Sequence, residues 1–233
     1  MNIVITGASR GLGKAMAERF AVDGGKMYIS SRSETGLYHA LQDLQTRFPQ
    51  TDFRAKPFDL SLKKNAQALA RWVLDFGEPV DVLINNAGDF LPGSVHSEED
   101  GVLEKMIETN LYSAYFLTRG LLPHMMERRK GHIFNICSVA SLQAYPNGGS
   151  YGISKFALAG FSKNLREELK SYGIKVTALY PGAVYTDSWA ESGADRHAMM
   201  EPRDVAELVY AAAKLSQQAN VEDIVLRPLK GDL

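Results

Sequence analysis

The stretch NIVITGASRGLGKAMAERF, residues 2–20, decides the fold. An apolar run suited to a strand passes through Gly7, Gly11 and Gly13 into an amphipathic helical pattern. Glycine in such a turn permits positive φ and close approach of a phosphate, while the free N–H groups of the helix's first turn face the anion. The turn residues placed to meet a dinucleotide are Gly7, Ser9, Arg10, Gly11, Leu12 and Gly13. Their spacing, G-x-x-x-G-x-G, departs from the common fingerprint G-x-G-x-x-G. A tight strand-to-helix turn with no ligand is the plain alternative.

Working outward, short runs rich in Val and Ile recur at 2–6, 26–30, 52–58, 80–85, 132–137, 175–180 and 223–228. Amphipathic stretches at 11–23, 36–48, 61–76, 99–129, 150–172 and 202–217 lie between them. Alternation of strand and helix implies a parallel sheet with helices on both faces, because crossovers are right-handed. No linker or repeat divides the chain, so residues 1–233 are expected to form one α/β domain, a doubly wound parallel sheet of seven strands. In such a fold the ligand crevice lies beyond the carboxyl ends of the strands. The candidate motifs fall at those ends.

Bulk composition narrows the function. The 233 residues carry a formal net charge of -1 and 45% hydrophobic residues, as an ordinary soluble globular protein does. No broad basic footprint for nucleic acid or an anionic membrane exists. No apolar run reaches spanning length, and the glycine-rich beginning does not read as a secretion signal. The single Cys137 fits a reducing cytoplasm, which is the expected location. The five histidines show no metal-ligand spacing, so no metal is expected.

The second strand ends in ISSRSE, residues 29–34, where an NAD binder commonly places Asp or Glu. Ser31 and Arg32 stand there instead, with Arg10 nearby in the glycine turn. An arginine fork suits the 2′-phosphate of NADP. Glu34 competes as a ribose partner, but it follows Ser33, a plausible N-cap, and so belongs to the first helical turn. NADP(H) is therefore expected over NAD(H).

Tyr151 and Lys155, in YGISK, are four apart and share a face if helical. Taken alone, the pair reads first as an exposed tyrosine beside an ordinary surface lysine. The wider set of motifs is more specific: TGASRGLG at 6–13, FDLS at 58–61, NNAG at 85–88, TNLYSAYFLT at 109–118, NICSVAS at 135–141, YGISK at 151–155 and YPGAVYT at 180–186. In that order they resemble the short-chain dehydrogenases/reductases across the whole chain. The resemblance implies a Rossmann domain and a catalytic set of Asn110, Ser138, Tyr151 and Lys155. It further implies that Asp59 meets the adenine, with Leu60 also among the cofactor-binding residues, that Asn86, Ala87 and Gly88 flank the adenosine ribose, and that Pro181, Gly182, Val184 and Thr186 line the nicotinamide side. Lys155 would also hold the nicotinamide ribose, and Asn110 would anchor a water linking Lys155 to solvent.

A carbonyl that accepts hydride needs a proton on its oxygen, which Tyr151 would supply. An ammonium ~4 Å from the phenolate, worth roughly 4 kcal/mol at a dielectric near 20, would lower the tyrosine pKa by about 3. Ser138 would donate to the substrate oxygen. Strand alternation turns Cys137 to the opposite face, as an inert buried thiol.

The segment 183–201 lacks a clear period and is expected to form a lid. Tyr185, Trp189, Met199 and Met200 on it, with Phe90, Leu91, Leu142, Gln143 and Tyr145 on other loops, would cover substrate or simply pack. The chain is similar to 3-oxoacyl-carrier-protein reductases, and also to sepiapterin-like and hydroxy-acid-type members, and the family resemblance implies a homotetramer or homodimer. The leading expectation is an NADPH-dependent enzyme reducing a ketone or aldehyde. An NADP-binding regulatory or scaffold protein without turnover, and an NAD-linked alcohol dehydrogenase, stay open.

Overall fold

A computed structural model describes residues 1–186 and 195–231. Its elements run β1 (Asn2–Thr6), α1 (Gly11–Ala21), β2 (Gly25–Ser30), α2 (Glu34–Arg47), β3 (Thr51–Ala55), α3 (Lys63–Leu74) and β4 (Val82–Asn85). They continue with α4 (Val102–Ile107), α5 (Ser113–Arg128), β5 (Gly131–Ile136), α6 (Gly149–Leu169), β6 (Ile174–Pro181), α7 (Pro202–Lys214) and β7 (Asp223–Leu226). The seven strands form one parallel sheet in the order β3-β2-β1-β4-β5-β6-β7. Strand order reverses between β1 and β4, so the crevice opens above those two.

Period-two alternation sorts the core onto two faces. Ile3, Ile5 and Ile84 join Met16 and Phe20 of α1, Leu37 and Leu44 of α2, and Val205 and Val209 of α7. Val4, Leu83, Ile133 and Val176 join Leu69 and Val73 of α3, Leu117 and Leu121 of α5, and Leu165 of α6. Every residue of β4, β5 and β6 is buried, as a sheet covered on both sides requires. β7, at one edge, alternates between exposed and half-buried residues.

Several expected boundaries move. β3 ends at Ala55 rather than 58, just before Pro57, which has no N–H for the ladder. β7 stops at Leu226, two residues short of Pro228. The long helix expected over 99–129 is not continuous. It begins at Val102 after Gly101, whose φ is +92°, and Glu108–Tyr112 form a π-helical turn between α4 and α5. An extra residue in that turn re-aims the side chains around Asn110. Pro123 sits inside α5.

Among the described residues no helix is long and apolar enough to cross a membrane.

Candidate active site

The crevice encloses about 870 Å³, within the usual range of a small-molecule or cofactor site. One end is the glycine turn. Gly7 and Gly11 have φ of +66° and +54°, which glycine adopts without strain. A Cβ on Gly7 would press on the main chain of Ala87 at 3.1 Å. Gly13 does a different job from the one expected. It does not line the crevice, and a Cβ there would sit 2.2 Å from the carbonyl oxygen of Gly7. Its lack of a side chain lets α1 press against the turn.

Thr6 and Asn86 hold this turn in place. The Thr6 hydroxyl accepts hydrogen bonds from the N–H groups of Asn86 and Ala87 at 3.0 and 2.9 Å. The Asn86 amide donates to the carbonyls of Thr6 and Gly7 at 2.9 and 3.1 Å. Asn86 thus braces the turn with its side chain while bordering the crevice. At the helix end, Arg10 is the N-cap residue of α1 and its side chain caps nothing, nor does an acidic residue stand in the first turn. The first N–H groups of α1 therefore open toward the crevice, an arrangement suited to an anion.

Ser9, Arg10, Leu12, Ser31, Arg32, Asp59, Leu60, Ala87 and Gly88 line the same half. Ser33 caps α2, its hydroxyl accepting from the Gly36 N–H at 3.1 Å, and Glu34 lies in the first turn. Asp59 accepts from the N–H and hydroxyl of Ser61 at 3.2 and 2.8 Å, which fixes its carboxylate at the rim. Arg32, 61% exposed, pairs with Asp89 at 3.1 Å. Asp89 directly follows NNAG and gave no sign in the sequence of an arginine partner 57 positions away.

Ser138, Tyr151, Lys155, Pro181, Gly182, Val184 and Thr186 line the other half. Ser138 lies two residues beyond the end of β5 and caps a short 3-10 turn, its hydroxyl accepting from the Ala140 N–H at 3.1 Å. The same hydroxyl reaches the phenol of Tyr151. Lys155 is buried, and its ammonium donates to the carbonyl of Ile136 at 2.9 Å. It lies 5.8 Å from the centroid of the Tyr151 ring.

The expected depression of the tyrosine pKa is not found. Burial pushes Tyr151 above the ordinary phenol value, and the hydrogen bond from Ser138 offsets only part of that. Burial also pulls Lys155 below the ordinary amine value. The spacing gave proximity correctly but left out desolvation, which disfavours the charged form of both groups.

Asn110 is 1% exposed and does not line the crevice. Its amide donates to the Asp89 carbonyl at 3.0 Å and to the Ser154 hydroxyl at 2.9 Å, and its Oδ1 accepts from the Asp89 N–H at 2.8 Å. Ser154 in turn donates to the Tyr151 carbonyl at 2.7 Å. A chain of hydrogen bonds therefore ties the loop after β4 to the first turn of α6. Ser154 stands inside YGISK, where its small polar side chain was the one signal for this link.

Glu98 adds a second tie. Its carboxylate accepts from the Ser150 N–H at 2.9 Å and from the Ser150 hydroxyl, bonds that hold its pKa below the ordinary carboxylate value. Gly93 N–H donates to Asn147 at 3.0 Å, and Gly149, with φ +31°, leaves room where a Cβ would meet Glu98 at 2.1 Å. Phe90 stands edge-on to Tyr151, with ring centroids 4.8 Å apart at 82°.

Cys137 is buried, and burial raises its thiol pKa to about 11, which leaves it unreactive. Gln143 and Tyr145 border the crevice, whereas Leu91 does not. Of the expected lid, Trp189 lies outside the described residues. Val184 pairs with Met200 in an isolated parallel bridge, joining the two ends of the segment. Met200 packs against the core around α1 and α7, and Met199 is buried, so these two side chains serve packing.

The family model for short chain dehydrogenase matches residues 1–197. An uncharacterized oxidoreductase of Staphylococcus aureus strain MRSA252 is 28% identical over 226 residues, 97% of this chain and 96% of that protein. An alcohol dehydrogenase from the archaeon Thermococcus sibiricus, solved with 5-hydroxy-NADP, superimposes with a TM-score of 0.89 at 26% identity, covering 97% of this chain and 96% of that one. L-sorbose reductase from Gluconobacter frateurii, solved with NADPH and L-sorbose, gives 0.87 at 26% identity over 96% of this chain and 94% of that one.

Proposed function

The chain belongs to the short-chain dehydrogenase family of oxidoreductases, and from that premise we propose that it reduces the carbonyl of a small molecule to an alcohol, with NADPH as reductant and Tyr151 as proton donor. One observation carries this reading. Tyr151, Ser138 and Lys155 meet at one end of a crevice whose other end is the glycine turn with Arg10 and Arg32.

The fit to a dinucleotide rests on the cradle at Gly7 and the uncapped first turn of α1. Gly7, Ser9, Gly11 and Leu12 would hold the pyrophosphate, with Gly13 keeping α1 close. Arg10, Ser31 and Arg32 would hold the 2′-phosphate; Asp59 and Leu60 the adenine; Asn86, Ala87 and Gly88 the ribose beside it. Pro181, Gly182, Val184, Thr186 and Lys155 would border the nicotinamide end. The bound cofactor supplies the hydride.

The rest of the chemistry belongs to the chain. A phenol whose pKa is raised stays protonated at neutral pH, which is the state a proton donor to the developing alkoxide needs. Ser138, already bonded to the phenol, would share the substrate oxygen with it. Asn110 and Ser154 position the first turn of α6 through the Tyr151 carbonyl. The water relay from Lys155 through Asn110 is part of the same proposal, as is residues 183–201 covering the substrate. Exposed Tyr112, Ile153 and Phe156, on the π turn and α6, support pairing of copies into a dimer or tetramer.

The test is consumption of NADPH and NADH against a panel of aldehydes, diketones, quinones and oxoacyl thioesters. The expected result is turnover of some carbonyl with NADPH ahead of NADH. Cofactor binding without turnover across the panel would overturn the enzymatic reading in favour of a sensor or scaffold.

A further inference from the structure

Arg32 and Asp89 are joined across the crevice. Arg32 lies two positions beyond the end of β2 and Asp89 four beyond the end of β4, while β1 runs between those strands in the sheet. The 3.1 Å ion pair therefore reaches over the carboxyl end of β1, and both residues line the crevice. The carboxylate is not loosely placed. Its residue is fixed by both main-chain groups, the N–H donating to Asn110 at 2.8 Å and the carbonyl accepting at 3.0 Å.

We infer that Asp89 is a built-in competitor for the 2′-phosphate: it pairs with the Arg32 guanidinium at the crevice and so limits how strongly the chain prefers NADPH to NADH. The inference rests on the proposed role of Arg32. A guanidinium fork offers its donors in one plane, and a carboxylate uses the same donors as a phosphate. For the phosphate to bind, Arg32 must be shared or released, and Asp89 is left as a like charge nearby. A cofactor that lacks the 2′-phosphate does not contend for Arg32. Asp89 thus acts on the difference between the two cofactors.

The test measures dissociation constants by isothermal titration calorimetry for NADPH, NADH, adenosine 2′,5′-bisphosphate and AMP. The proteins are the wild type, Asp89→Asn, Arg32→Ala and the double variant, with melting temperatures confirming that each is folded. The Asn side chain keeps the shape, and the hydrogen bonds to Asn110 come from the main chain. The expected result is that Asp89→Asn tightens NADPH and the bisphosphate by roughly two- to fivefold, the size of an exposed ion pair, with NADH and AMP unchanged. In the Arg32→Ala background that gain should shrink. If Asp89→Asn leaves all four constants unchanged, or shifts them equally, while Arg32→Ala still weakens NADPH selectively, this inference falls and the NADPH reading stands. If Arg32→Ala weakens both cofactors equally, the reading of Arg32 itself falls and takes the inference with it.

Discussion

The two halves of the crevice are built from different materials. The glycine-turn half meets its ligand mainly with main chain: Gly7 and Gly11 at positive φ, an open first helical turn, and a brace of hydrogen bonds from Thr6 and Asn86. The other half works through side chains, Tyr151, Ser138 and Lys155, and burial raises the pKa of the tyrosine and lowers that of the lysine. A main-chain site is limited by steric room. A side-chain site is limited by desolvation, and the two should fail differently.

In the glycine half the expected effect is the broadest, falling on folding and on cofactor binding together. Gly13→Ala drives a methyl toward the Gly7 carbonyl, a 2.2 Å approach that main chain must yield to. Overpacking of this kind costs about 1–3 kcal/mol, so a clear drop in melting temperature and loss of NADPH affinity by tenfold or more are expected. A variant with wild-type stability and affinity would show that this contact is not rigid.

Next comes Ser138→Ala, which removes the hydroxyl bonded to Tyr151. Turnover should fall by about 10²-fold with the NADPH dissociation constant unchanged, since in the proposed reaction the serine meets the substrate oxygen and not the cofactor. Equal loss of binding and turnover would erase the distinction between the halves. Arg32→Asp should weaken NADPH about tenfold and leave NADH nearly unaffected, the scale of a lost charge-assisted contact. Equal loss toward both cofactors would count against a phosphate partner.

The smallest effect concerns the tie between the halves. The Glu98 pKa is lowered in the fold by its bonds to Ser150. Its stabilisation is therefore present above the ordinary carboxylate pKa of about 4.3 and is lost as pH falls through the lower folded value. The melting temperature of Glu98→Gln should lie below wild type at neutral pH, and the gap should narrow in acid. A gap independent of pH would mean that the carboxylate charge plays no part.

How much the sequence revealed follows the same division. Gly7, Gly11 and NNAG were legible because close approach of main chain admits few residue types. The parallel sheet with helices on both faces followed from apolar runs alternating with helical periods, whereas the strand order came only with the structure. The π turn at Glu108–Tyr112 was not legible, since one extra residue in a helix changes no apolar pattern strongly. Nor was the Arg32–Asp89 pair, because it joins loops brought together only by the order of β2, β1 and β4. For Tyr151 and Lys155 the four-residue spacing gave the shared face. The sign of the tyrosine shift was missed because burial, which the spacing says nothing about, is the largest influence on the phenol and disfavours the charged form of both groups.

The proton-donor role is tested most directly by Tyr151→Phe, which keeps the ring against Phe90 and removes only the hydroxyl. With a carbonyl substrate found in the panel, the rate of NADPH oxidation at saturating cofactor should fall by about 10²- to 10⁴-fold while the NADPH dissociation constant stays within about twofold of wild type. A variant that oxidises NADPH at the wild-type rate would contradict proton donation by this residue.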